Sequence, residues 1–225
     1  MTHAIASIEP DTVDRVGNPE PPLRWLERRF SGRFTVDPFG LDPQLADLVR
    51  PLFTFAMRVQ VDGEQNVPET GPAVVVANRA FGVIEPAALF ISVMRATGRR
   101  LRVVGAPNTR IIGGITRRFG AISASAADVT SALHAGHLVA VPLMPTWLRS
   151  GAGVPPHALM QAMTHSPIIP AAVAPIGPLS GAINGWRVRF GSLVTLNDPY
   201  DPNDPLAAAR FGDAMREAVA ALLAE

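Results

Sequence analysis

Apolar residues along this chain fall into two rhythms. Unbroken runs such as "AVVVA" (73–77), "HLVAVPL" (137–143) and "PIIPAAVAP" (167–175) read as strands buried on both faces. Strands are expected at 72–77, 101–105, 121–124, 137–142, 168–174 and 186–194. Between them, helical spacing predicts helices near 86–97, 126–135, 157–164 and 206–223, the last with Phe211, Met215, Ala218 and Leu222 on one face. "RVQVDG" alternates as a half-buried strand should and ends in a turn at Asp62-Gly63. Strands alternating with helices predict an α/β domain with a largely parallel sheet, covered by helices on both faces.

The first 60 residues follow a different pattern. Residues 1–22 hold four prolines and scattered acids without periodicity, and are expected to form a mobile tail. Residues 23–58 form an N-terminal helical segment, and 59–225 the α/β domain. In "LRWLERRFSGRF", Leu23, Leu26 and Phe30 share a helical face beside Trp25, with Arg24, Arg28, Arg29 and Arg33 around it. Such a segment either lies in an anionic membrane interface, giving a peripheral contact through 23–34, or packs as an ordinary surface helix. Next, Asp42 and Pro43 form an N-cap and first-position pair, and Leu45, Leu48, Val49 and Leu52 repeat at helical spacing. Pro51 is expected to kink or restart that helix.

Composition narrows the chemistry. The chain has no cysteine, which removes disulfides, thiolate catalysis and cysteine-ligated zinc. It has no lysine either, so Schiff-base chemistry and a P-loop are excluded. A net charge of +1 is too small for general nucleic-acid binding. No apolar run is long enough to span a bilayer and the N-terminus lacks a signal-peptide pattern, so a cytoplasmic protein is the expectation.

Most motif candidates fail on spacing. There is no Gly-x-Ser-x-Gly elbow, and "GGITRRFG" lacks the dinucleotide-binding spacing. His134 and His137 in "HAGH" have no third ligand nearby, and read as a helix end turning through Gly136 into a strand; no metal is expected. "NDPYDPNDP" reads as Asp-Pro turns rather than a calcium loop. Arg95, Arg99, Arg100, Arg102, Arg110, Arg117 and Arg118 crowd into 24 residues, and no acid occurs between Glu85 and Asp128. They form either a solvated charged face or a rim that recruits an anion such as a phosphate head group or coenzyme A.

Four blocks in order carry a family likeness. "GPAVVVANRAFGVIEPAAL" is similar to a strand followed by Asn-His-x-x-x-x-Asp. "LRVVGAPNTRIIGGITRRFGAISAS" is similar to a block reaching Gly120-Ala121-Ile122. "ALHAGHLVAVPLMPTWLRSG" stands where Phe-Pro-Glu-Gly normally follows a strand, and "HSPIIPAAVAPIG" carries Pro170. From about residue 50 to 200 the chain thereby resembles the phospholipid/glycerol acyltransferase superfamily, the 1-acylglycerol-3-phosphate acyltransferases among them, and its actinobacterial members in particular. The resemblance implies that a histidine deprotonates the acceptor hydroxyl, an aspartate orients the imidazole, and the oxygen attacks the thioester of acyl-CoA or acyl carrier protein. No further cofactor is implied.

The reactive positions depart from that pattern. Arg79 stands in the histidine's place and Ile84 in the aspartate's, and arginine does not give up its proton at any working pH. The acid of the third block falls at Leu143 or Met144. The phosphate-binding arginine expected after Gly120 falls near Ser125 or Ala126. Framework residues Asn78, Pro86, Gly120, Pro142 and Pro170 persist. Two functions follow. One is a catalytically impaired relative that binds an acyl donor or lysophospholipid-type lipid. The other is an active acyltransferase with Glu85 as base, or with a remote histidine (His134, His137, His157 or His165) swung into the cleft, since a glutamate in an apolar pocket is a usable base. Arg79, Arg110, Arg117, Arg118 and Arg149 are the candidates for holding substrate or anion, and Arg79 could alternatively pair with Glu85.

Overall fold

The computed structural model describes residues 15–19, 21–32, 36–78, 84–105, 112–143, 166–177, 185–194 and 204–224, and the backbone alone at Ile84, Pro205 and Ala208. The expected helix at 157–164, most of the Asp-Pro stretch, and Arg33, Arg79, Arg110 and Arg149 lie outside these residues.

Among the described residues the first two helices are α1 (Pro22–Phe30) and α2 (Pro43–Ala56). Then come β1 (Val59–Asp62), β2 (Ala73–Asn78), α3 (Ile84–Thr97), β3 (Leu101–Val104), α4 (Ile112–Arg118), β4 (Ala121–Ile122), α5 (Ala126–His134), β5 (Leu138–Leu143), β6 (Ile168–Pro175), β7 (Trp186–Phe190) and α6 (Pro205–Ala224). Among the described residues the strands form one sheet in the order β1-β7-β6-β2-β5-β3-β4. All pairs are parallel except β6 with β7. The α/β expectation is met, with one antiparallel step toward an edge.

Period-two alternation divides the sheet's side chains between two cores. Val75, Ala77, Leu138, Ala140 and Ile169 face α3 through Ala88, Leu89 and Val93. Val74, Val76, Val139 and Val141 face α5 and α6 through Val129, Leu133, Phe211 and Met215. Because β2 is buried on both faces, a one-residue slip would put Val74 and Val76 into the core that holds Ala73 and Ala77, so side-chain volume specifies the register Val75↔Ala140 and Val75↔Ile169.

The N-terminal segment is fastened by ion pairs and by the buried side chain of Leu41. Asp37, Asp42 and Asp47 pair with Arg102, Arg29 and Arg100 respectively. Asp37 also accepts from the backbone N–H groups of Phe39 and Leu41, and Asp42 caps α2 by accepting from Leu45 N at 3.0 Å. Residues 15–17 differ from the mobile tail expected over 1–22. Val16 N donates to Gly98 O at 2.9 Å and Gly17 N to Asp47 Oδ2 at 3.2 Å.

Two expectations about α2 also change. The helix runs through Pro51 without restarting, with Thr54 Oγ1 donating to Arg50 O one turn on. Its apolar spacing does not mark a buried face: Asp47 is its buried residue, while Leu52, Phe53 and Phe55 are exposed.

Candidate functional site

Strand order locates the candidate cleft. The chain leaves β2 for β3, passing over β5, and leaves β5 for β6, passing back over β2. Neighbouring strands that send the chain opposite ways leave a crevice at their carboxyl ends, the usual ligand position in open α/β sheets. Here those ends are Asn78 and Leu143, which are Cα partners in the β2–β5 ladder. The first and third sequence blocks therefore meet at one point.

Asn78 does more there than terminate a strand. Its backbone stays in register with β5, while its side chain reaches β6. Nδ2 donates to Val173 O at 2.8 Å, and Oδ1 accepts from Val173 N at 2.7 Å. The carboxamide thus substitutes for one more peptide unit between β2 and β6. Sequence reasoning kept Asn78 as framework without seeing this role; the available signal is a polar residue closing an otherwise apolar strand.

The loop after Asn78, including Arg79, lies outside the described residues, and α3 begins at Ile84. Glu85 occupies the first turn of α3, where the helix dipole favours a carboxylate. It is 6% exposed, and its Oε2 is buried with no hydrogen-bond partner among the described residues. A buried carboxylate oxygen left unsatisfied is costly, and such groups concentrate where a ligand or a proton is to be handled. Pro86 follows it within the same turn.

The histidines are placed elsewhere. His134 ends α5 and is exposed; Gly136, at φ 83°, turns the chain, and His137 lies buried just before β5, edge-on to Phe39 with ring centroids 5.6 Å apart. Leu138 is the partner of Ala73, so His137 lies at the amino end of the sheet. Five strand steps, about 16 Å, separate that level from Asn78. The structure does not bring His134 or His137 to the cleft: α5 and β5 hold both at the far end. His157 and His165 lie outside the described residues.

The arginine-rich stretch splits in two. Arg99, Arg100 and Arg102 are buried and do not form a solvent rim. Arg99 donates to Pro68 O, Gly71 O and Gly136 O, and the other two pair with Asp47 and Asp37. Arg95 is exposed and donates to Val59 O. Arg117 and Arg118 sit in the last turn of α4, beside edge strand β4. That edge is three strand spacings from β2, about 14 Å, so the structure does not bring them onto Glu85. Where the second block's arginine would fall, Ser125 caps α5 by accepting from Asp128 N at 3.1 Å. No helix among the described residues is long and apolar enough to cross a membrane.

No protein-family model matches the chain. An uncharacterized protein of Mycobacterium tuberculosis (strain H37Rv) is 28% identical over 87% of this chain and 70% of its own length. An uncharacterized protein of Mycobacterium leprae is 26% identical over 87% of this chain and 68% of its own. Among solved structures, the 1-acyl-sn-glycerophosphate (LPA) acyltransferase PlsC from Thermotoga maritima superposes with a TM-score of 0.50, covering 81% of this chain and 80% of that one at 16% identity. At that identity the likeness is one of fold.

Proposed function

We propose that this chain is an acyltransferase-fold protein that binds an acyl donor (acyl-CoA or acyl carrier protein) or a lysophospholipid-type ligand at the carboxyl ends of β2 and β5, without histidine–aspartate chemistry. The observation that carries the reading is the absence of an imidazole from that end of the sheet among the described residues. Residues 78–85 contain no histidine, and His134 and His137 are anchored about 16 Å away. Losing a positioned general base typically costs about 10²–10⁴-fold in rate. Alignment of bound reactants can still supply several orders of magnitude, so slow residual transfer is compatible with this reading.

A second reading has one specific observation in its favour, the unpartnered buried Oε2 of Glu85. With Glu85 as base, the acceptor hydroxyl passes its proton to the carboxylate as its oxygen attacks the thioester carbonyl. The C–O bond forms, the C–S bond breaks, and the proton returns to the departing thiolate. Lipid as ligand also agrees with the outward apolar side of α1, where Leu23 and Phe30 are 81% and 88% exposed, as a contact through 23–34 would require.

The two readings part in one experiment. Acyl-CoA is expected to raise the melting temperature of the full chain while an acyl-CoA and lysophosphatidic acid assay detects little product. Robust turnover that vanishes in Glu85→Gln would replace the first reading with the second. Neither stabilisation nor turnover would defeat both.

A further inference from the structure

Four acids are buried among the described residues. Asp37, Asp42 and Asp47 each pair with a guanidinium, whereas Glu85 has no such partner among those residues. Its surroundings follow from helical spacing. Ala88, Leu89, Ser92 and Val93 lie three, four, seven and eight residues further along α3 and are all buried, so Glu85 shares the face that α3 lays on the sheet. Ala88 and Leu89 belong there to one core with Ala77, Ala171 and Val173. The carboxyl group is thus turned inward where α3 starts, just beyond the carboxyl end of β2, on the side of small apolar residues. Its Oε2 is buried there without a hydrogen bond.

A buried carboxylate without a cation or a donor is unfavourable, and the described cations are committed elsewhere. Arg99, Arg100 and Arg102 lie at the amino end of the strands, and Arg117 and Arg118 at the β4 edge. Arg95 is ten residues along α3, about 15 Å away. Arg187 and Arg189 alternate with the inward Trp186, Val188 and Phe190, and so face the other side of the sheet, where Asp62 and Leu222 O hold them. No described residue supplies the partner that Oε2 lacks, and a ligand in the crevice can. The positive end of α3 would by itself favour an anion, but Glu85 already stands in it, and a phosphate placed there would meet a carboxylate. A primary ammonium answers both demands, being compact and cationic with three N–H donors. A neutral hydroxyl supplies one donor and no charge.

We propose that Glu85 seats the primary ammonium of an amine-bearing amphiphile, so that the cleft prefers a cationic head group to a phosphate. The proposal deepens the ligand-binding reading above and rests on it for the place of binding. Full-length protein is titrated calorimetrically with decylammonium, decanol and decyl phosphate, three probes that share one chain and differ in head group. Decylammonium should bind about tenfold more tightly than decanol, the margin expected when a neutral hydrogen bond becomes a charge-assisted one, with decyl phosphate weakest. Glu85→Gln should bring decylammonium close to decanol and relieve the penalty on decyl phosphate. Glu217→Gln, which removes an exposed carboxylate on α6, should behave as the parent.

Decanol or decyl phosphate binding as tightly as decylammonium would overturn the proposal, as would a preference for decylammonium that Glu85→Gln leaves intact. So would a large fall in the melting temperature of Glu85→Gln matched by Arg79→Gln, which would assign Arg79 as the partner of Oε2. Acyl-CoA stabilisation of the full chain is measured in parallel. Its presence without selectivity for decylammonium defeats the amine site alone, and its absence beside that selectivity defeats acyl-donor binding alone.

Discussion

The amino and carboxyl ends of the central strands are finished in opposite ways. At the amino end, Arg99 grips carbonyl oxygens of the segments entering β2 and β5, with contacts of 2.7–3.2 Å to Pro68, Gly71 and Gly136. Nearby, Arg100 and Arg102 hold Asp47 and Asp37 out of water. At the carboxyl end, Asn78 stitches β2 to β6, and Glu85 keeps a buried oxygen with no partner among the described residues. Arginine is used here as internal scaffolding where geometry demands a five-donor fork. Each end keeps a buried carboxylate oxygen without a hydrogen-bond partner among the described residues, Asp47 Oδ1 at the amino end and Glu85 Oε2 at the carboxyl end, but Asp47 is also held by a guanidinium. The buried ion pairs are thus gathered at the amino end, while the buried carboxylate of the carboxyl end has no cationic partner among the described residues.

That contrast can be attacked in order of expected effect. Arg102→Met should be the most damaging change. It strands the buried Asp37 carboxylate, and breaking such a pair typically costs about 3–5 kcal/mol, read as a lowered urea midpoint. Adding Asp37→Leu should recover much of the loss, because the cost lies in the uncompensated charge. If the single variant were neutral, the buried pair would not be what fastens the amino end.

Asn78→Ala comes next. It removes two hydrogen bonds and leaves the N–H and C=O of Val173 without those partners, a loss of about 1–3 kcal/mol. Faster amide exchange at Val173 is the specific readout, and unchanged exchange would show that β6 does not depend on the carboxamide. Glu85→Gln should be the mildest, within about 1 kcal/mol of the parent or slightly stabilising, since no partner among the described residues is lost. A loss above about 2 kcal/mol would reveal a structural ion pair and remove the chief ground for a Glu85 base. Finally, Arg79→His/Ile84→Asp should gain acyl transfer over the parent in the acyl-CoA assay if the rest of the cleft is competent.

The strands were legible because burial on both faces forces unbroken apolar runs, and helical spacing exposed α3, α5 and α6 similarly. Local chemistry was legible too: the Asp42 cap and the Gly136 turn each involve neighbours within a few residues. The strand expected at 186–194 is continuous only to Phe190; Gly191 N still donates to Pro170 O, and Val194 pairs again with Ile168 through an isolated bridge, so the pairing is interrupted before it ends. The roles of the arginines were hidden for a different reason. Arg100 and Arg102 find their carboxylates 53 and 65 residues away, and no local pattern tells a cation bound for the interior from one bound for solvent. The same limit applied to α2, whose helical spacing signalled a face without telling which way it would turn.

The sheet also imposes an order on assembly. β1 is the first strand among the described residues, yet its neighbour is β7, with Val59 beside Trp186 and Asp62 beside Arg189. During synthesis β1 therefore waits for more than a hundred residues before any ladder can receive it, and closing so long a loop is slow. A chain stopped short of residue 186 would leave β1 unpaired, so damage at the carboxyl side should first loosen the opposite terminus.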